Sequence, residues 1–273
     1  VKVVGSAQEK IMIEQTEQTD SFKLHLRESL QRESLNSRTV KIARHANVYT
    51  CGDHDEMVFF IESGRIKLLM LSPEGKECLL AIHSAGDIFG ELCLSGTGAR
   101  LETATTMEQS ILKKIPRSQF LAGLSRDSLL EGYVRYLAVR IAEQQQVIAD
   151  LVTVDSEQRL GKTLLQLARS LGTKDQQSAR IELKISHEEL SEMVGTTRPR
   201  ISLFMQRFRN LGLIETNLDR FLVLHEKLLA AYLDVRASEH GCARRGDFAQ
   251  ARPVVGQRTF TNLAEHPIKS IGR

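Results

Sequence analysis

No apolar run in this chain of 273 residues approaches membrane-spanning length, and the opening VKVVGSAQEKIMIEQ has no signal-peptide core. A spanning helix and a secretory leader are therefore not expected, and the reading is a cytoplasmic protein without a membrane partner. Cysteine is scarce. Cys51, Cys78, Cys93 and Cys242 are scattered, with no CxxC pair and no zinc-ligand spacing, so they read as reduced thiols and no metal site is expected. Tryptophan is absent and aromatics amount to 5%, while charged residues, at 26%, stand at an ordinary globular level. Catalytic signatures are missing too. There is no nucleophile–base constellation, no metal motif and no phosphate-transfer loop, and the eight histidines are dispersed. An enzyme is not expected.

The formal charge of +3 is too small to advertise nucleic-acid binding, and as an average it misleads. The tail from Asp234 to Arg273 holds seven basic and four acidic residues and accounts for all of it. The body is near neutral, with its basic residues concentrated locally.

That concentration lies in ISHEELSEMVGTTRPRISLFMQRFRNLGLI, residues 185–214, which divides at Gly195 into two amphipathic helices. Leu190, Met193 and Val194 repeat at helical spacing in the first; Ile201, Phe204, Met205, Phe208 and Leu211 do so in the second. Ser191 is small where the helices must approach, and Gly195 can take the left-handed backbone of a tight turn. From Met193 to Ile214 there are four arginines and no acid. Such a pair is equally the stuff of ordinary all-α cores, and its arginines could be merely solvated. The following residues favour DNA: 215–224 read as a polar turn and an apolar strand, and a helix-turn-helix followed by a hairpin is a winged helix. Thr197 is a natural N-cap and Pro199 is tolerated in a first turn. With Ile201 and Phe208 buried, Pro199, Ser202, Leu203 and Gln206 project the other way. Arg198 and Arg200 flank the helix start, where phosphates or a guanine edge are in reach, Gln206 suits adenine, and Leu203 a thymine methyl. Thr196 and Thr197 suit phosphate contacts.

Upstream the texture changes twice. From Val40 to Ile115, short apolar runs (58–61, 66–71, 78–82 and 111–115) alternate with glycine-bearing turns, the pattern of an all-β barrel or jelly roll. A long helix is expected from about Ser125 to Val152. Leu130, Val134, Leu137, Ile141, Gln144, Ile148 and Leu151 alternate spacings of four and three, a coiled-coil seam that favours a parallel homodimer. Gln144 at its middle would help fix register and is also a candidate ligand group at the dimer axis. Another helix is expected over 159–171, and one over 226–235. Phe22, Leu26 and Leu30 mark a helix in the N-terminal extension.

Between Gly86-Asp87 and Arg100 the chain reads IFGELCLSGTGA, with Arg100 nine residues after Glu91. A glycine admits close backbone approach to a ligand, a carboxylate accepts from a ribose hydroxyl, and a buried guanidinium pairs a ring phosphate. Glu91 and Arg100 taken alone fit a structural ion pair better. With the roll, the long helix and the winged helix in this order, residues 38–233 resemble the Crp/Fnr family of bacterial transcription regulators. The segments YTCGDHDEMVFFIESGRIKLLMLSPEGKECLLAIHSAGDIFGELCLSG and 185–214 carry the resemblance.

The resemblance implies an α+β protein: an N-terminal double-stranded β-helix (jelly-roll) sensor domain over 37–124, a dimerisation helix over 125–153, and a C-terminal winged helix-turn-helix DNA-binding domain over 154–235. Residues 1–36 would form the N-terminal extension and 236–273 a flexible tail. It further implies a homodimer that binds a palindromic operator in double-stranded DNA, partners RNA polymerase, and is controlled by a cyclic nucleotide of the cyclic-AMP kind. The ligand site would comprise Gly90, Glu91, Leu92, Arg100, Leu101 and Thr103, with Gln144 and Gln145 where family members contact the purine. The DNA site would comprise Thr196, Thr197, Arg198, Pro199, Arg200, Ser202, Leu203 and Gln206. Two departures stand out. Leu101 and Glu102 follow Arg100 where small residues are usual, which puts a second carboxylate beside the phosphate site. Pro199 and Leu203 replace base-reading residues, which implies a different operator. An iron–sulfur cluster is not expected, since no cysteine precedes Cys51. Haem ligation through Cys78, His83 or His54, oxidation at Cys93, an effector-independent roll, and a module acting on a protein partner remain the alternatives.

Overall fold

The computed structural model describes residues 18–32, 36–96, 98–174, 179–181, 185–217 and 221–236. The expectations for residues 1–17 and for the tail from 237 onward, Cys242 included, lie outside the described residues. Helix α1 (18–31) leads into eight strands: β1 (Arg38–Ile42), β2 (Asn47–Tyr49), β3 (Met57–Ser63), β4 (Ile66–Leu71), β5 (Glu77–His83), β6 (Ile88–Phe89), β7 (Thr103–Thr106) and β8 (Ser110–Pro116). They form two four-stranded antiparallel sheets, ordered β1-β8-β3-β6 and β2-β7-β4-β5. Their inner faces enclose Phe59, Ile61, Ile66, Phe89, Ala104 and Leu112, all but fully buried. This is the expected roll. The apolar runs read from the sequence are β3, β4, β5 and β8. Strands β1, β2, β6 and β7 are short or polar, and no apolar run announces them.

The helical half comprises α2 (Arg117–Arg126), α3 (Leu130–Thr153) and α4 (Ser156–Leu171), strands β9 (Gly172–Lys174) and β10 (Ala179–Ile181), α5 (His187–Val194), α6 (Arg198–Asn210), β11 (Ile214–Thr216), β12 (Leu222–Leu224) and α7 (226–236). The long helix does not start at Ser125 as expected. Helix α2 ends at Arg126, Ser128 adopts a left-handed φ of 55°, and α3 begins at Leu130. The corner sets Phe120 edge-on to Tyr133, ring centroids 5.1 Å apart. Helix α1 packs on the same spot: Phe22 meets Tyr133 and Tyr136 at 5.9 and 5.6 Å. A Cβ at position 132 would lie 2.9 Å from the Phe22 ring, so Gly132 is what admits it.

The hairpin after α6 belongs to a larger sheet, β11-β12-β10-β9, in which two strands come from before the helix-turn-helix. A second core joins the two halves. Leu69, Leu79 and Ile82 of the roll share one buried cluster with Leu160, Leu190 and Phe208, and Lys67 of β4 reaches Glu189 of α5 at 3.3 Å.

Candidate ligand pocket and nucleic-acid interface

Strand β6 is followed by Gly90, whose φ of 78° is costly for any other residue. A Cβ there would stand 2.9 Å from Nη1 of Arg100 and 3.1 Å from the Met57 carbonyl. The space it leaves is filled by the Arg100 guanidinium, which is 3% exposed. Nη1 donates to the Gly90 carbonyl at 2.8 Å, while Nη2 donates to the Asp55 carboxylate and the Met57 carbonyl. The guanidinium plane covers Tyr49, its Cζ 4.1 Å from the ring centre. The backbone is fixed as well: Arg100 N–H donates to Asp53 O, and Gly52 N–H donates to Arg100 O.

Glu91 opens a short 3-10 turn, Glu91–Ser95, and pairs at 2.8 Å with Arg140 of α3. Arg140 also donates to the Ile88 carbonyl and lies 3.4 Å from His83 Nε2. Ligand-side carboxylate and central helix are thereby joined by one charge-assisted contact. Glu102 points inward. It is 2% exposed, and its Oε1 accepts from the Tyr49 hydroxyl at 2.9 Å. Burial raises the Glu102 carboxyl pKa above the ordinary carboxylate range; the Tyr49 bond lowers it less, and the Glu91 charge adds to the rise. Burial likewise raises Tyr49 well above the usual phenol range, with the Glu102 charge acting in the same direction. Thr103 is buried and accepts at Oγ1 from the Cys51 N–H at 3.0 Å.

The remaining residues named from the sequence lie elsewhere. Leu92 and Leu101 turn their side chains to solvent, and Gln144 and Gln145 are exposed on α3. Asp55, Tyr49 and Arg140 belong to the cluster without any signal in the sequence. Asp55 sits in a run of polar residues, and Arg140 reads as a solvated position of a helix, so spacing marks neither. Of the thiols, Cys51 and Cys78 are exposed and Cys93 is buried, where burial raises its pKa. His83 faces Asp87 at 3.7 Å, and His54 bonds the Gly98 carbonyl.

In the second half, α5 begins with a reciprocal capping box between Ser186 and Glu189. It ends at Gly195, φ 67°, where a Cβ would meet Leu151 of α3 at 3.2 Å. Ser191 is buried at the crossing, its hydroxyl donating to the Glu188 carbonyl. Helix α6 follows, with Thr197 in the N-cap position but making no side-chain capping bond, and with Pro199 in the first turn. Ile201, Phe204, Met205 and Phe208 are buried. Leu211, expected among them, is exposed: it caps the helix rather than continuing it. On the opposite face Arg198, Pro199, Arg200, Ser202, Leu203 and Gln206 are exposed, Leu203 to 65%, and Thr196 is half-buried beside them. Ser202 Oγ lies 2.9 Å from His187 Nδ1, and Gln206 bonds Asn210. Arg207 is held by Glu157 at 2.9 Å, whereas Arg198 and Arg200 form no ion pair among the described residues.

Residues 39–127 match the cyclic nucleotide-binding domain, and residues 158–232 match the Crp-like helix-turn-helix domain. The chain belongs to the Crp/Fnr family of transcription regulators. A CRP-like cAMP-activated global transcriptional regulator of Mycobacterium tuberculosis is 29% identical over 70% of this chain and 86% of its own length. A global nitrogen regulator of Synechococcus elongatus is 28% identical over 68% and 86%. Among solved structures, a CooA variant from Carboxydothermus hydrogenoformans is 27% identical, with a TM-score of 0.61 over 73% of this chain and 89% of that one. As a Crp/Fnr member, the protein is a transcription regulator that couples a cyclic-nucleotide-binding-type roll to a DNA-binding helix-turn-helix. Among the described residues no helix is long and apolar enough to cross a membrane.

Proposed function

We propose that the protein acts in the cytoplasm as a homodimer that inserts its two α6 helices into successive major grooves, about 34 Å apart, of a palindromic operator. The observation that carries this reading is the exposed face of α6. It combines two arginines at the helix start, neither in an ion pair among the described residues, with Ser202, Leu203 and Gln206, groups that can meet phosphates, base edges and a thymine methyl. Dimerisation through α3 is supported by its uncovered apolar stripe: Val134, Ile141, Ile148 and Val152 are 54–81% exposed in the single chain. RNA polymerase is the partner through which such a regulator acts, and no catalytic role is assigned to the chain. Residues 37–124, 125–153 and 154–235 serve as sensor, dimer helix and reading head.

For the roll, the reading is control by a cyclic nucleotide. Gly90 and Arg100 would take the ring phosphate with Thr103 beside them, Glu91 the ribose hydroxyl, and the backbone at Leu92 and Leu101 would line the site. Gln144 and Gln145 would approach the base only across a dimer. Since Arg100 is already paired with Asp55, a ligand must displace that carboxylate or use the remaining guanidinium N–H. This same pairing favours a second reading, a roll that needs no effector.

Substituting Arg198→Ala should weaken operator binding roughly 10- to 100-fold at fixed salt, the loss expected for one charged contact to DNA. Fluorescence anisotropy with a labelled duplex measures it. An unchanged affinity contradicts the assignment of α6.

A further inference from the structure

The roll contains three buried polar atoms without a partner among the described residues, and all three belong to one cluster: Nε of Arg100, Oε2 of Glu91 and Oε2 of Glu102. Unpaired groups of this kind are rare in folded proteins and costly to bury. Their chemistry is mixed. Arg100 Nε is a donor with no acceptor. Glu91 is an acceptor whose other oxygen is taken by Arg140. Glu102 can be either.

Its neighbours decide which. Oε1 of Glu102 accepts from the Tyr49 hydroxyl, so a proton on the carboxyl resides on Oε2, the unpaired atom. The charges facing Glu102 are Glu91 from the 3-10 turn, Arg100 beside it in the chain and Arg140 from α3. Both arginines are already paired with carboxylates, Arg100 with Asp55 and Arg140 with Glu91. Neither has a full charge left to neutralise a third carboxylate in a buried place.

We propose that Glu102 is a neutral acid of the ligand site, its Oε2–H donating to an oxygen of the ring phosphate alongside Nε of Arg100. The cluster then offers two donors to the anion and, at Glu91 Oε2, one acceptor to a neighbouring hydroxyl. That is the complement of a cyclic ester phosphate flanked by a ribose 2′-hydroxyl. Glu102 thus replaces the small residues usual after the family's arginine without repelling the phosphate, and it makes anion binding depend on a proton. Burial raises the carboxyl above its ordinary range, consistent with this state. An anion brought alongside raises it further, so the complex holds its proton to higher pH than the free protein, and affinity falls as pH rises through the free carboxyl's titration. The inference rests on the cyclic-nucleotide reading above.

Calorimetric titration of the full-length protein with cyclic AMP between pH 5 and 9 tests it, using Glu102→Gln and Glu102→Ala. Glutamine keeps an acceptor for Tyr49 and a donor for the phosphate, so its affinity should stay within about threefold of wild type at low pH and remain level with pH. Wild-type affinity should decline toward pH 9, by at most tenfold per pH unit. Alanine should cost roughly 10- to 100-fold. An ionised Glu102 gives the opposite signs: both variants bind more tightly than wild type, which overturns the proposal. Equal affinity of all three proteins also overturns it. If neither wild type nor the Gln variant gives heat at any pH, the cyclic-nucleotide reading itself fails and the role of Glu102 falls with it. Thermal melting of each variant checks that the fold is kept, and the Gln variant decides the matter should the Ala variant misfold.

Discussion

Asp87 shows how single side chains fix the frame around the pocket. Its carboxylate accepts from the Ser84 N–H at 2.8 Å, pairs with Lys23 of α1 at 2.6 Å and faces His83 at 3.7 Å. Burial raises its pKa, but the His83 bond and the Lys23 charge outweigh it and hold the carboxyl well below the usual carboxylate range. A carboxyl depressed on folding contributes stability that is present above its unfolded pKa and lost as pH falls through the folded one. Asp87→Asn should therefore destabilise the protein at pH 7 by about 2 kcal/mol, and the gap to wild type should close as pH drops below about 4. Urea unfolding at a series of pH values measures this; a constant gap means that charge is not what Asp87 supplies. At this scale the sequence was only partly legible. Gly90, Glu91 and Arg100 could be picked out because their types and spacing carry a chemistry. Asp55 and Tyr49 could not, since they reach Arg100 only once the loop around Gly52 folds over it. That Glu102 points inward, beside Tyr49, is a matter of strand register that composition does not contain.

Among elements, helices were easier to read than strands. The seam of α3 was visible because its period is long and regular, and the structure leaves Val134, Ile141 and Ile148 uncovered while Leu137 packs inward. Its start is not legible because Ser128, an unremarkable residue in sequence, takes a left-handed conformation at the corner where Phe120 and Phe22 pack around Tyr133. Strands β9 and β10 have no local signal for another reason: they are three residues each, and β10 pairs with a wing strand that follows the helix-turn-helix while β9 pairs with β10. A double substitution, Val134→Lys with Ile148→Lys, places charges on the exposed stripe without touching the packed side of α3. It should shift the protein from dimer to monomer at micromolar concentration in sedimentation velocity, and the melting curve should lose its dependence on protein concentration. A dimer that persists places the interface elsewhere.

For the whole molecule, the cluster around Glu91 and Arg100 connects to the reading head by two routes. Glu91 is bonded to Arg140 of α3, and the far end of the same helix meets Gly195, where Leu151 packs on the turn between α5 and α6. More directly, β4 and β5 share a core with α5, reinforced by Lys67 and Glu189. In the proposed homodimer, a ligand that changes the hold of Glu91 on Arg140 would act on the helix that spaces the two α6 helices, and it could bias that spacing only by binding the two arrangements unequally. The most direct test of this account is selection of bound sequences from a random duplex pool by the full-length protein, with and without cyclic AMP. The expected result is an inverted repeat whose half-site centres lie about one helical turn apart, differing from those of family members that carry other residues at Pro199 and Leu203. Recovery of no enriched sequence, or of a single half-site without its inverted mate, would contradict it.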